Sequence, residues 1–143
     1  MNDEQELKEI RKILSEAKTI AVVGLSDNPD RTSRQIAEYL VDKGYKVVGV
    51  NPTIKKSGEI VVYPNLSDVP FKIDIVDVFR RSETIPELIP DVLKVNPKTL
   101  WLQEGVRNDE AVKPVIEKGK SERFGYTSIS PLFLIVGLTP TTL

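Results

Sequence analysis

Ser26 and Arg31 stand five positions apart in GLSDNPDRTS, just after a compact apolar run, and Thr32 and Ser33 follow at once. A hydroxyl, a guanidinium and the backbone N–H groups of a glycine-led turn are the groups that hold phosphate. Arginine does so through bidentate, charge-assisted bonds. The free N–H groups at a helix start add a favourable dipole. A pair of cations, Arg80 and Arg81, follows another strand, IDIVDVF. Groups that break bonds are scarce. The chain has no His and no Cys, which removes the commonest general base, the thiolate nucleophile and the commonest zinc ligands. Glu104 in LQEGV is a carboxylate with no partner acid or base beside it in sequence, and Asp74 and Asp77 stand at odd spacing in one strand, so they face opposite sides. No catalytic residue and no metal ligand is assigned, and an enzymatic role is disfavoured.

The elements that must position these groups read clearly. Leu7, Ile10, Ile13 and Leu14 give an amphipathic first helix. TIAVVG, Thr19–Gly24, is a strand buried on both faces, and Ile36, Ala37, Leu40 and Val41 give a helical stripe that stops at Gly44. Val47–Val50 is a second strand closed by Asn51-Pro52, and Ile60–Tyr63 and Ile73–Phe79 are two more. The long connection holding Lys55, Lys56 and Gly58 is read as irregular. Ser82 can cap a helix with apolar positions Ile85, Leu88, Ile89, Val92 and Leu93, in which Pro86 is tolerable and Pro90 awkward. Thr99–Leu102 is a short strand with Trp101 read as core, and RNDEAVKPVIEKG is a helix capped by Asn108 and stopped by Gly119, with Pro114 inside. Strand and helix alternate, so the expected fold is α/β: an open, mostly parallel sheet with helices on both faces.

The bulk numbers agree with a single core. The chain has 143 residues, 40% hydrophobic and 29% charged, with a formal charge of −1. A nucleic-acid grip normally needs a surplus of Lys and Arg, and none exists here. The charged, amphipathic N-terminus is not a signal peptide and no apolar run reaches the length of a membrane span, so a cytoplasmic location is expected, with no membrane partner.

In such a sheet, ligands bind beyond the carboxyl ends of the strands. That crevice gathers Gly24, Leu25, Ser26 and Arg31, then Asn51 and Pro52, then Phe79, Arg80 and Arg81, then Gln103, Glu104 and Gly105. Phe79 reads equally as core or as a flat face for a base. A dinucleotide loop wants G-x-G-x-x-G, and Ser26 and Pro29 occupy its second and third glycine positions. A nicotinamide enzyme also wants an acid after the second strand, where Asn51 stands. Both tests disfavour NAD, and no G-x-x-x-x-G-K-[ST] occurs.

GLSDNPDRTS, GYKVVGVNP, VDVFRRSE and LWLQEGV, in this order, resemble the small stand-alone CoA-binding proteins of bacteria and archaea, which are similar to the N-terminal domain of the succinyl-CoA synthetase alpha subunit. The resemblance covers about residues 10–119. It implies a Rossmann-like CoA-binding fold, with coenzyme A as the ligand. It implies that Gly24, Leu25, Ser26, Arg31 and Thr32 hold the CoA phosphates, and that Val50, Asn51 and Pro52 flank the nucleotide end. Phe79, Arg80 and Arg81 would line the same cleft, with Gln103, Glu104 and Gly105 toward the pantetheine. The synthetase works through a phosphorylated His in a further domain. With no His in this chain, ligase chemistry is not carried over.

Two segments follow from this: residues 1–119 as the CoA-binding domain, and residues 120–143 as an atypical tail packed on it or extending it. The family usually continues with an apolar strand, a short motif containing Met, Asp, Arg and Cys, and a terminal helix. Here KSERFGYTSISPLFLIVGLTPTTL follows, an abrupt switch of the kind a frameshift or a swapped terminus gives. The expected function is binding of CoA or an acyl-CoA without catalysis. The alternatives are an NAD(P)-linked oxidoreductase on a similar fold and an interaction protein that has lost the ligand. The apolar tail leaves homo-oligomers open.

Overall fold

A computed structural model of the chain describes residues 3–103, 110–111, 113–114, 117 and 125–129. Helix α1 (Asp3–Glu16) leads into β1 (Thr19–Val23), α2 (Thr32–Asp42) and β2 (Lys46–Val50). A short hairpin of β3 (Lys56–Ser57) and β4 (Ile60–Tyr63) comes next. β5 (Ile75–Val78), α3 (Ile85–Val95), β6 (Thr99–Gln103) and β7 (Gly125–Ile129) complete the series. Single 3-10 turns at Leu66–Asp68 and Ser82–Thr84 precede β5 and α3.

The seven strands lie in the order β3-β4-β2-β1-β5-β6-β7. Every pairing but β3–β4 is parallel. Setting the edge strand β3 aside, the chain builds outward from β1 through β2 to β4, then returns to place β5 on the other side of β1. This is the doubly wound order with its switch point between β1 and β5. The expected α/β fold, with a mostly parallel sheet and helices on both faces, is what the chain adopts.

Each face has its own core. On one, Val23, Val50, Val76 and Val78 pack under Ile85, Leu88, Ile89 and Val92 of α3. On the other, Ile20, Val22, Ile75 and Trp101 pack under Ile10 and Leu14 of α1 and Ile36, Ala37 and Leu40 of α2. β1 and β5 are buried on both faces because alternate residues feed the two cores. In α2 the buried positions Ser33, Ile36, Ala37 and Leu40 fall at i, i+3, i+4 and i+7, one stripe of a helix. Its end is set by Gly44, at φ 97°, where the chain reverses into β2.

Two details differ from the sequence expectation. β3 is a strand, not irregular chain, because Lys56 and Ser57 pair across a turn with Val61 and Ile60. Ser82 begins a 3-10 turn instead of capping α3, which starts at Ile85 with Pro86 in its first turn and Pro90 exposed in its interior. The strand in the tail, Gly125–Ile129, lies ahead of the apolar run 132–136 and pairs along β6. The expected helix from Asn108 to Gly119 and the remainder of the tail fall largely outside the described residues.

Candidate functional site

The turn after β1 is set by close packing at the switch point. Gly24 has φ 86°, and a Cβ there would sit 2.3 Å from the carbonyl oxygen of Phe79. Its N–H donates to the Val50 carbonyl at 2.8 Å, while the Phe79 N–H donates to Val23 at 2.8 Å. The ends of β2, β1 and β5 are thus tied together around one residue that has no room for a side chain. Leu25 then turns inward and is fully buried, against Gly49. Its side chain belongs to the core, and its backbone faces the loop.

From Ser26 the loop is built from side-chain turns. Ser26 Oγ accepts from the Asn28 N–H at 3.0 Å, and Asn28 Oδ1 accepts from the Asp30 N–H at 2.9 Å. Such turns stiffen a segment without glycine. Four contacts then fasten the loop to its surroundings. The Ser26 N–H donates to Ser33 Oγ at 3.1 Å, and Ser57 Oγ donates to the Ser26 carbonyl at 2.6 Å. Arg34 Nη1 donates to the Asp27 carbonyl at 2.9 Å while its Nε pairs with Glu38 at 2.7 Å. Asn51 Nδ2 donates to the Leu25 carbonyl at 3.0 Å, and Asn51 Oδ1 accepts both from the Thr53 N–H at 2.9 Å and from its hydroxyl at 2.8 Å. Asn51 is therefore a clamp between the loops after β1 and β2.

The loop delivers the chain to the start of α2. Arg31 occupies the N-cap position in an extended conformation (φ −80°, ψ 142°), and no side chain caps the helix. The helix N-terminus opens onto a cavity of about 790 Å³. Gly24, Ser26 and Arg31–Ser33 form one wall, Asn51, Thr53 and Ile54 another, and Phe79 and Arg81 a third, with Asp27 and Asp30 also lining it. Arg31 is exposed, and the ion pairs among the described residues do not include it. Arg81 lies 3.6 Å from Glu83, a loose exposed contact worth little in water. Two guanidiniums and an uncapped helix N-terminus thus face one open space, with two carboxylates in the same lining.

The two neighbouring arginines part company. Arg81 lines the large cavity. Arg80 lines a smaller cleft of about 220 Å³ on the α3 side, together with Val50, Pro52, Glu87 and Asp91. The crevice expected from sequence is therefore divided by the ends of β1 and β2. Gln103 lies apart from both clefts, buried, where its Nε2 donates to Asp77 Oδ1. Glu104 and Gly105 lie outside the described residues. Burial raises the Asp77 carboxyl to about 7, with the Gln103 bond acting in the opposite direction. Asp74 behaves otherwise. Burial raises it too, but N–H bonds from Lys18 and Thr19 and the charge of Lys98 outweigh this and hold it below the usual carboxylate range. Thr53, Ile54, Asp27 and Asp30 join the lining without having been singled out in the sequence, where nothing but position in a loop marks them.

Among the described residues no group of three His, Cys, Asp or Glu could hold a metal ion. No helix among them is long and apolar enough to cross a membrane.

Known proteins resemble this chain in sequence and in structure. Uncharacterized protein YneT of Bacillus subtilis is 42% identical over 113 residues, spanning 79% of this chain and 84% of its own. The structure of cell-free ID.343 from Thermus thermophilus superposes with a TM-score of 0.81 at 31% identity, over 97% of this chain and 100% of that one. The apo form of a dinucleotide forming acetyl-coenzyme A synthetase from Ca. Korarchaeum cryptofilum shares 30% identity at a TM-score of 0.63, over 78% of this chain but 25% of the synthetase. Residues 18–121 match the CoA binding domain family, from the strand that leads into the Ser26 loop to beyond β6, and the chain belongs to that family.

Proposed function

We propose that the protein binds coenzyme A or an acyl-CoA in the 790 Å³ cavity, and makes or breaks no bond itself. The carrying observation is the uncapped N-terminus of α2, which opens into that cavity beside Arg31. A helix start in this state attracts an anion through its free N–H groups and its dipole. The volume falls in the range of small-molecule and cofactor sites. Family membership makes CoA the phosphate-bearing ligand to expect. In this reading the first turn of α2, with Thr32, and the guanidiniums of Arg31 and Arg81 hold phosphate oxygens. Gly24 and Leu25 shape the turn, and Ser26 stiffens the loop that presents the helix. Phe79 and Ile54 supply apolar wall. Val50, Pro52 and Arg80 act from the smaller cleft behind. Asn51 works as the clamp, and its occupied amide argues against the ribose-binding role that a nicotinamide enzyme needs at that place. Glu104 and Gly105, which lie outside the described residues, take the pantetheine side, and Gln103, buried against Asp77, takes no part in the cavity.

CoA supplies the thiol that carries acyl groups, and the protein's contribution is to bind and orient it. A thermal-shift comparison of CoA with ADP-ribose tests the reading. CoA is expected to raise the melting temperature and ADP-ribose to leave it unchanged. The reverse order would overturn it.

A further inference from the structure

β5 and β6 carry a polar cluster that neither cleft uses. Asp77, Trp101 and Gln103 are 0%, 1% and 5% exposed. Asp77 pairs in register with Trp101 on one side and with Val22 on the other. Gln103 stands two residues beyond Trp101, so strand alternation puts all three side chains on the face that α1 covers. One bond is made within the cluster, from Gln103 Nε2 to Asp77 Oδ1. Asp77 Oδ2, Gln103 Oε1 and Trp101 Nε1 are buried with no hydrogen-bond partner among the described residues.

Two facts about these atoms are decisive. First, an ionised Asp77 here would be a sealed charge. The ion pairs among the described residues do not include it, and its neighbours in register are Val22 and Trp101. The covering helix carries Arg11, which has interactions of its own, and the influences on the Asp77 carboxyl are its burial and the Gln103 amide. A buried carboxylate without a counter-charge is strongly disfavoured, and such a group takes up a proton. Second, the orphan atoms are complementary to one water molecule. The indole N–H and the protonated Asp77 carboxyl can donate to its oxygen, and one of its hydrogens can be given to the Gln103 amide oxygen. Buried waters typically make about three such bonds.

We propose that Asp77 is carried in the folded protein as the neutral acid, in an internal station completed by one buried water shared with Gln103 and Trp101, and that its ionisation loosens the β5–β6 seam beneath the cavity. The seam matters because β5 runs straight into Phe79 and Arg81 of the cavity wall. The sign follows from linkage. Asp77 binds its proton more tightly folded (about 7) than unfolded (about 3.9). Its stabilising effect is complete below about pH 4 and is lost as the pH rises to about 7, by up to tenfold in the folding constant per pH unit.

Trp101 is the chain's one tryptophan, so its emission reports on the cluster directly. In the wild type, emission is expected to shift with a midpoint near neutral pH, and folding stability to fall from about pH 4 up to that midpoint. Asp77→Asn cannot ionise and is expected to abolish the emission shift and to remove that slope. A variant that keeps the wild-type slope and midpoint would overturn the proposal. A measurement on the wild type stands independently of how the variant folds. Its infrared spectrum at pH 6 is expected to contain a protonated carboxyl band that resists deuterium exchange, and absence of that band would equally overturn the proposal.

Discussion

Gly24→Ala places a methyl group where the fold has none to spare. The added Cβ would lie 2.3 Å from the Phe79 carbonyl oxygen and 3.0 Å from its carbon, both backbone atoms of an adjoining strand end. Relief requires β5 to move away from β1, which breaks the Phe79 N–H bond to Val23. The magnitude has three parts. A left-handed backbone conformation costs alanine about 1–2 kcal/mol. Loss of the hydrogen bond adds about 1 kcal/mol. Forced displacement in a packed region adds about 1–3 kcal/mol. Together they give about 4 kcal/mol. Gly44→Ala is the matched control, because Gly44 has φ 97° but nothing within 4 Å of its Cβ position. It should cost only the conformational part, about 1–2 kcal/mol. In urea denaturation, with a slope of about 2 kcal/mol per molar, the midpoint should fall by about 2 M for Gly24→Ala and by less than about 1 M for Gly44→Ala. Equal shifts in the two variants would refute the reasoning, because they would show that the contact with Phe79 contributes nothing.

Other outcomes follow from the same geometry. Asn51→Ala removes one hydrogen bond that joins the loops after β1 and β2 and two that hold Thr53 within the second loop, and should cost about 1–3 kcal/mol in denaturant melts and weaken CoA binding. Arg31→Ala should weaken CoA binding by about ten- to a hundredfold without altering the melt, because the side chain is exposed and charge-assisted contacts contribute about 1.5–3 kcal/mol. That loss should shrink as salt is raised. Asp74, held below the usual carboxylate range by the Lys18 and Thr19 N–H groups, stabilises the fold above about pH 4 and ceases to do so as the pH falls through its folded value. Acid unfolding followed by circular dichroism should therefore be less steep in Asp74→Asn than in the wild type.

The strands of the sheet were legible because their signal is local. Ile20–Val23 is an unbroken apolar run and Ile75–Val78 is one interrupted by Asp77 alone, the pattern of strands buried on both faces. The stripe of α2 and the stop at Gly44 are local as well. β3 escaped notice because two residues carry no periodicity, and its place depends on pairing with β4 and on Ser57 reaching Ser26. The site shows the same division. The Asn28-Pro29-Asp30 turn and an anion-ready helix start can be read from residue types. Ser33 cannot, since sequence offers its hydroxyl to phosphate, whereas its Oγ accepts the Ser26 N–H across the turn. Asn51 looked like a missing ribose acid, and its work as a clamp emerges only when β2 lies beside β1. Arg80 and Arg81 cannot be divided between two clefts without the strand ends that separate them. Asp77 and Gln103 are 26 residues apart, and nothing but the β5–β6 register brings them together.

Isothermal titration calorimetry of the full chain with CoA at low salt tests the central claim most directly. The account predicts saturable binding at one site per chain, weakened at least tenfold in Arg31→Ala. No saturable heat at millimolar CoA, or equal affinity in the variant, would contradict it.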